Sequence, residues 1–227
     1  MKSGVVFDLD DTLIDRRATL EAYAHRLWKD FDLELETPLP PFVASFIALD
    51  ADGRTPPAEL FAGLVRAFPR TGPQAENMLR HFADLAWTQP RLASGVAEEI
   101  ARLRTTGVPL GIITNGEAAG QRRKLQATGL DRLVDRCIIS GEFGVEKPDS
   151  AIFLAMCSAL DIAAEESWFI GDHPVFDVWG AHRVGFRTVW LAKRVPWPSD
   201  RDRCYTHCAP HVGAALDLIA TARRSCR

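Results

Sequence analysis

Short apolar runs rich in Val and Ile recur along the chain at 4–9, 109–114, 137–140, 167–170 and 188–191. Runs of this kind, without polar alternation, predict strands buried on both faces, as in a parallel sheet. Between them, apolar residues recur at helical spacing over about 96–106, 118–128, 150–160 and 175–184, with a last helical stretch near 212–222. Strand and helix alternate. The pattern therefore predicts an α/β fold, a doubly wound and mainly parallel sheet with right-handed crossovers.

One segment breaks the alternation. Residues 16–90 carry no convincing strand and show four helix-like stretches, broken by Pro38, Pro40, Pro41, the Pro56-Pro57 pair and Pro73. Leu20, Tyr23, Leu27, Phe42, Phe46, Phe61, Leu64, Val65, Phe68, Leu79, Phe82 and Leu85 recur there at helical spacing, which reads as the core of an all-helical insertion. Two domains are expected: a core of residues 1–15 with 91–227, and a helical domain of residues 16–90. Gly53, in the acidic turn 51–54, marks the expected flexible tip.

Composition narrows the function class. A chain of 227 residues, with 47% hydrophobic and 25% charged residues, is long enough to bury a sizeable core. A net charge of −3 argues against a general nucleic-acid binder and favours small-molecule partners. Neither a signal-peptide core nor an apolar span of membrane length is found, so a cytoplasmic protein, without membrane association and either monomeric or homodimeric, is expected. Cys137, Cys157, Cys204, Cys208 and Cys226 are odd in number and scattered, which fits reduced thiols. Cys204, His207, Cys208 and His211 would share a helical face as zinc ligands, but Pro210 breaks that helix; a surface loop is the expectation.

The chemistry collects at strand ends, where open α/β sheets bind their ligands. The first strand ends on Asp8 and Asp10, two residues apart and so on one side of an extended segment. A loop start capped by Thr12 would use the same residue types. The second strand ends on Thr114, Asn115 and Gly116, and the fourth on Gly171 and Asp172, with Asp177 five residues on; Lys147 lies in the loop after the third. Two neighbouring acids repel unless a cation or a proton intervenes. Phosphoryl transfer needs an in-line nucleophile and fixed donors or cations around the equatorial oxygens. Asp8 supplies the nucleophile and Asp10 a proton donor and acceptor. Thr114, the N–H groups of Asn115 and Gly116, and Lys147 grip phosphate. Mg²⁺ suits Asp8, Asp172 and a backbone carbonyl, with Asp177 holding a bound water or orienting Lys147.

Together these residues resemble the haloacid dehalogenase-like superfamily, and within it the Mg²⁺-dependent phosphatases. Asp8, Asp10 and Thr12 match its first motif, Thr114 its second, Lys147 its third, and Asp172 with Asp177 its fourth. The resemblance implies a Rossmann-like core, a mobile helical cap over residues 16–90 that sets specificity, and metal binding around Asp8, Asp10, Asp172 and Asp177. Arg16, Arg17, His25, Arg54, Arg66 and His81 are the cap's candidate substrate contacts. FDLDDTL, ITNG, GVEKPD and GDHP are similar to the branch of small-molecule phosphatases, which implies a phosphomonoester of nucleotide or sugar type, hydrolysed through a phospho-aspartyl intermediate on Asp8. Phe176 departs from the Asn often found before the last acid and puts the polarity around the metal in doubt. A phosphomutase and a non-catalytic phosphate-binding module are the alternatives. A dehalogenase fits less well, because it would lack the acid at Asp10.

Overall fold

Three apolar residues, Val5–Phe7, form β1 near the middle of a six-stranded sheet of order β3-β2-β1-β4-β5-β6 in the computed structural model, which describes residues 2–35 and 37–225. Every strand pair is parallel. The chain divides into two compact units, Met1–Asp15 with Leu92–Arg227, and Arg16–Arg91.

The second unit is helical: α1 (Arg16–Asp30), α2 (Leu39–Asp50), α3 (Pro57–Ala67) and α4 (Ala75–Leu85). Pro40 and Pro41, expected at a break between helices, lie in the first turn of α2, where the missing N–H costs nothing. The expected flexible tip is a 3₁₀ turn, Ala51–Gly53, capped by the Asp50 carboxylate on the Gly53 N–H. Aromatic rings fill the core: Tyr23 and Phe82 meet edge-on at 5.4 Å, and Phe61 and Phe82 at 5.7 Å. The Arg16 guanidinium is clamped by the buried Asp50 carboxylate, with one bond of 2.9 Å.

The first unit continues with α5 (Val96–Arg104), β2 (Leu110–Thr114), α6 (Ala118–Thr128), α7 (Leu130–Leu133), β3 (Arg136–Ile139) and α8 (Ser140–Phe143). It ends with α9 (Ser150–Leu160), β4 (Trp168–Gly171), a π-helical turn at Pro174–Trp179, α10 (Gly180–Arg183), β5 (Arg187–Leu191), β6 (His207–Ala209) and α11 (Val212–Ser225). Successive strand residues face opposite sides. Val5 and Phe7 pack with Ile100 and Leu216 on one face, while Val6 packs with Ile152, Phe153 and Met156 on the other. Among the described residues no helix is long and apolar enough to cross a membrane.

Two expectations for this unit change. The continuous helix at 175–184 is instead a π-turn, with the Val178 N–H reaching the His173 carbonyl at 3.2 Å and the His173 ring capping the Val175 and Phe176 N–H groups, followed by one α-turn. The surface loop at 204–211 contains β6, an edge strand whose His207 pairs with Val189. His207 stacks on Trp168, Cys208 is its exposed neighbour on the opposite face of the strand, and His211 accepts the Ala214 N–H. Among the described residues, the four candidate zinc ligands do not come together as a metal-binding group. Cys137, Cys157, Cys204 and Cys208 are free thiols, and Cys226 lies outside the described residues.

Candidate active site

β1 and β4 are adjacent although the chain reaches β4 only after building β2 and β3, so the order reverses there and a crevice opens at their carboxyl ends. Asp8 sits one residue past β1, fixed by its N–H on the Ile170 carbonyl at 2.9 Å. Asp172 follows β4 directly, and its carbonyl accepts the Trp190 indole N–H at 3.0 Å. Asp177 folds back from the π-turn, with the His173 N–H on its Oδ2 at 2.9 Å. Its approach needs Gly171, where a Cβ would lie 2.5 Å from the Asp177 Cβ and Cγ. Asp8, Asp172 and Asp177 each bring a carboxylate oxygen within 4.8 Å of the others.

One cation stands among these acids. The Lys147 Nζ donates to Asp8 Oδ1 at 2.6 Å, Asp177 Oδ1 at 2.7 Å and the Ile113 carbonyl at 3.0 Å, with the side chain only 2% exposed. An ammonium has three hydrogens, and all three are taken. Lys147, expected beside the phosphate, gives these hydrogens to Asp8, Asp177 and the Ile113 carbonyl. Asn115 locks the lysine's backbone, donating from Nδ2 to the Lys147 carbonyl at 2.9 Å and accepting the Lys147 N–H at 2.8 Å.

Three acids with one lysine leave excess negative charge in a buried place. Burial, and then Asp177 against the opposing pull of Lys147, push the Asp8 carboxyl up to about 7. Burial, with Asp177 and Asp8 beside it, pushes Asp172 up to about 9. Burial alone would favour a neutral Lys147 amine, but Asp177 and Asp8 outweigh it and raise its pKa. Hard oxygen donors with unbalanced negative charge fit a small divalent cation such as Mg²⁺.

Asp10 does not join that cluster. Its carboxylate is held by Lys124 Nζ, 2.9 Å from Oδ1 and 2.7 Å from Oδ2, and by Gln121 Nε2, 2.8 Å from Oδ2. The expectation of Asp10 among the metal ligands is thus corrected for its side chain, which another pair of groups engages. Thr114, buried at the end of β2, accepts a short hydrogen bond from Gln121. The Gly116 N–H, expected to grip phosphate, donates instead to Ser140 Oγ at 3.0 Å, drawing α8 against the β2 loop. At the rim, Asp11 is ion-paired with Arg194 and offers its carbonyl to Lys193. Phe176 is exposed and stacks on His173 at 4.1 Å.

Sequence reasoning missed Gln121, Lys124 and Ser140. The available signal was on α6: Gln121 and Lys124 occupy the same helical face as Leu125, and polar residues at such core-facing places are unusual. The candidate contacts of the helical unit are mostly engaged there. Arg16 pairs with Asp50, Arg17 with Glu21, Arg54 donates to the Ala51 carbonyl, and His81 bridges Tyr23 and Asp30, whereas His25 and Arg66 are exposed.

Comparison with known proteins follows the same lines. Residues 5–191 match the sequence model of the haloacid dehalogenase-like hydrolases. The chain is 30% identical to a phosphoserine phosphatase of Thermus thermophilus, over 82% of this chain and 87% of that protein. It is 31% identical to a ribulose-1,5-bisphosphate 5-phosphatase of Halopiger xanaduensis, over 97% and 100%. A magnesium-bound HAD-hydrolase of Bacillus subtilis shares the fold, with a TM-score of 0.69, 22% identity and 96% of this chain covered against 99% of that one.

Proposed function

The chain belongs to the haloacid dehalogenase-like hydrolases, and on that footing we propose that it is an Mg²⁺-dependent phosphatase of small-molecule phosphomonoesters, nucleotide or sugar phosphates, working through a phospho-aspartyl intermediate on Asp8 in the cytoplasm. The observation that carries this reading is the buried triad of Asp8, Asp172 and Asp177 around Lys147 at the carboxyl ends of the central strands. Relatives named for phosphoserine and ribulose bisphosphate support the small-molecule class, and free thiols suit a reducing compartment.

Asp8, Asp172 and Asp177 would hold Mg²⁺, which when bound balances their charge and that of the phosphoryl oxygens. Lys147 fixes Asp8 by Oδ1 and adds positive charge to the phosphate's surroundings. The Thr114 hydroxyl accepts from Gln121 and donates only a long bond of 3.5 Å to the Asn115 carbonyl, a donor that a phosphate oxygen could take over. An Asp8 oxygen attacks phosphorus, the bond to the leaving oxygen breaks, and that oxygen takes a proton from Asp10. Water then gives a proton to Asp10 and attacks the same phosphorus. The bond to Asp8 breaks, releasing inorganic phosphate and restoring the carboxylate.

The test is a panel of phosphoserine, triose and sugar phosphates, nucleotides and an aryl phosphate, assayed with Mg²⁺ and with chelator. Phosphate release should require Mg²⁺ and vanish in Asp8→Asn. Wild-type turnover in that variant would overturn the assignment, and transfer of phosphate to a second hydroxyl of the substrate would mark a mutase.

A further inference from the structure

Asp10 reaches its place through α6, not through the acids it neighbours in sequence. We propose that Lys124, assisted by Gln121, is the positioning residue that holds Asp10 for its proton transfers, an inference that rests on the reading of Asp10 as acid and base.

The geometry is bidentate. A single ammonium lies 2.9 Å and 2.7 Å from the two Asp10 oxygens, and the Gln121 amide adds a third bond at 2.8 Å. Three bonds arriving from one helix face fix both the place and the plane of the carboxylate. Lys124 is 3% exposed and Gln121 4%, while Asp10 keeps 20% of its side chain open to solvent. Burying a lysine so deeply is unfavourable unless its charge is paired, and Leu or Met would fill the same space without that burden. A lysine placed there serves the carboxylate it holds.

Gln121 extends the device to the phosphate side. Its amide nitrogen carries two hydrogens and faces three acceptors: Asp10 Oδ2, Thr114 Oγ1 and the Asn115 carbonyl at 3.0 Å. It therefore couples the proton-transfer group to the hydroxyl expected to touch phosphate. Gln121 lies in the first turn of the helix that Glu117 caps through the Ala119 and Gly120 N–H groups, and Lys124 in the turn after it.

A double-mutant cycle of Lys124→Met with Asp10→Asn tests this, read as Mg²⁺-dependent kcat and KM on one phosphomonoester. Lys124→Met alone should lower kcat on the order of 10²-fold at nearly constant KM, as a misplaced catalytic group does. In the Asp10→Asn background the same change should alter kcat by less than about 2-fold, since acting through Asp10 makes the losses non-additive. Lys124→Arg should recover part of the loss. A full additional loss in the double variant, or a loss confined to KM, would overturn the positioning role. Wild-type turnover in Asp10→Asn would overturn instead the acid and base assignment beneath it. If thermal unfolding shows that Lys124→Met does not fold, Lys124→Gln and Gln121→Leu go through the same cycle with the same two outcomes.

Discussion

Three buried carboxylates and one ammonium lie within a few ångströms in the crevice and make it sensitive to pH. Asp8 and Asp172 have ordinary values of 3.8 and are pushed up to about 7 and about 9. A carboxyl that binds its proton more tightly when folded stabilises the fold below its unfolded pKa and loses that contribution as pH rises through the folded value. The chelated protein should therefore lose thermal stability from about pH 4 to about pH 9, because three buried acids must ionise with only the Lys147 ammonium to offset them. Added Mg²⁺ should raise the melting temperature more at the alkaline end of that window, since the metal binds the ionised acids. Melting curves with and without chelator across the window check this, and a pH-independent Mg²⁺ shift would count against the acid cluster as the metal site. Asp8 and Asp172 were legible in the sequence because each ends a short apolar run, and Asp177 because it follows Asp172 by five residues. Lys124 was not, because its partner Asp10 lies 114 positions away and only the fold brings them together.

Among the elements, the turn after β4 does the most specific work. The chain must bring Asp177 back over the strand end that delivers Asp172, and a π-turn with His173 as its cap achieves this where an ordinary helix start would not. Helical spacing alone could not reveal that turn, since apolar residues at Val175 and Val178 suit either winding. α6 and α9 were legible to the residue because Glu117 and Asp149 cap their first turns and Gly129 ends α6 with φ 72°. β6 was hidden because three residues, His207–Ala209, take strand form only from their pairing with β5. Gly171 is the hinge of the design. In Gly171→Ala the new Cβ would meet Asp177 at 2.5 Å, so the π-turn must shift. The expected outcome is a loss of about 1–3 kcal/mol in stability, as in other overpacked sites, with weaker Mg²⁺ binding by titration calorimetry. Unchanged Mg²⁺ affinity in a folded variant would show that Asp177 is not held in place by the close approach at Gly171.

At the scale of the molecule, the two units carry separate hydrophobic cores. The sheet unit packs both faces of β1, while the helical unit buries Leu20, Tyr23, Phe42, Phe46, Phe61 and Phe82 with one another. Cores with no shared residues can lose stability independently, provided each is large enough to fold cooperatively. Phe46 is fully buried and touches Tyr23, Phe61 and Phe82 at ring distances of 5.9, 6.2 and 6.1 Å. Removing its ring should cost the helical unit about 3–5 kcal/mol. In Phe46→Ala, calorimetry should therefore show a transition displaced to lower temperature, ahead of a second one that Mg²⁺ still raises. The metal-dependent transition belongs to the acids after β1 and β4, which lie in the other unit from Phe46. If both move together by the same amount, the two cores melt as one cooperative body and substitutions far from the acids would be read out at the metal site. If they separate, changes in the helical unit can be studied without disturbing the chemistry at Asp8.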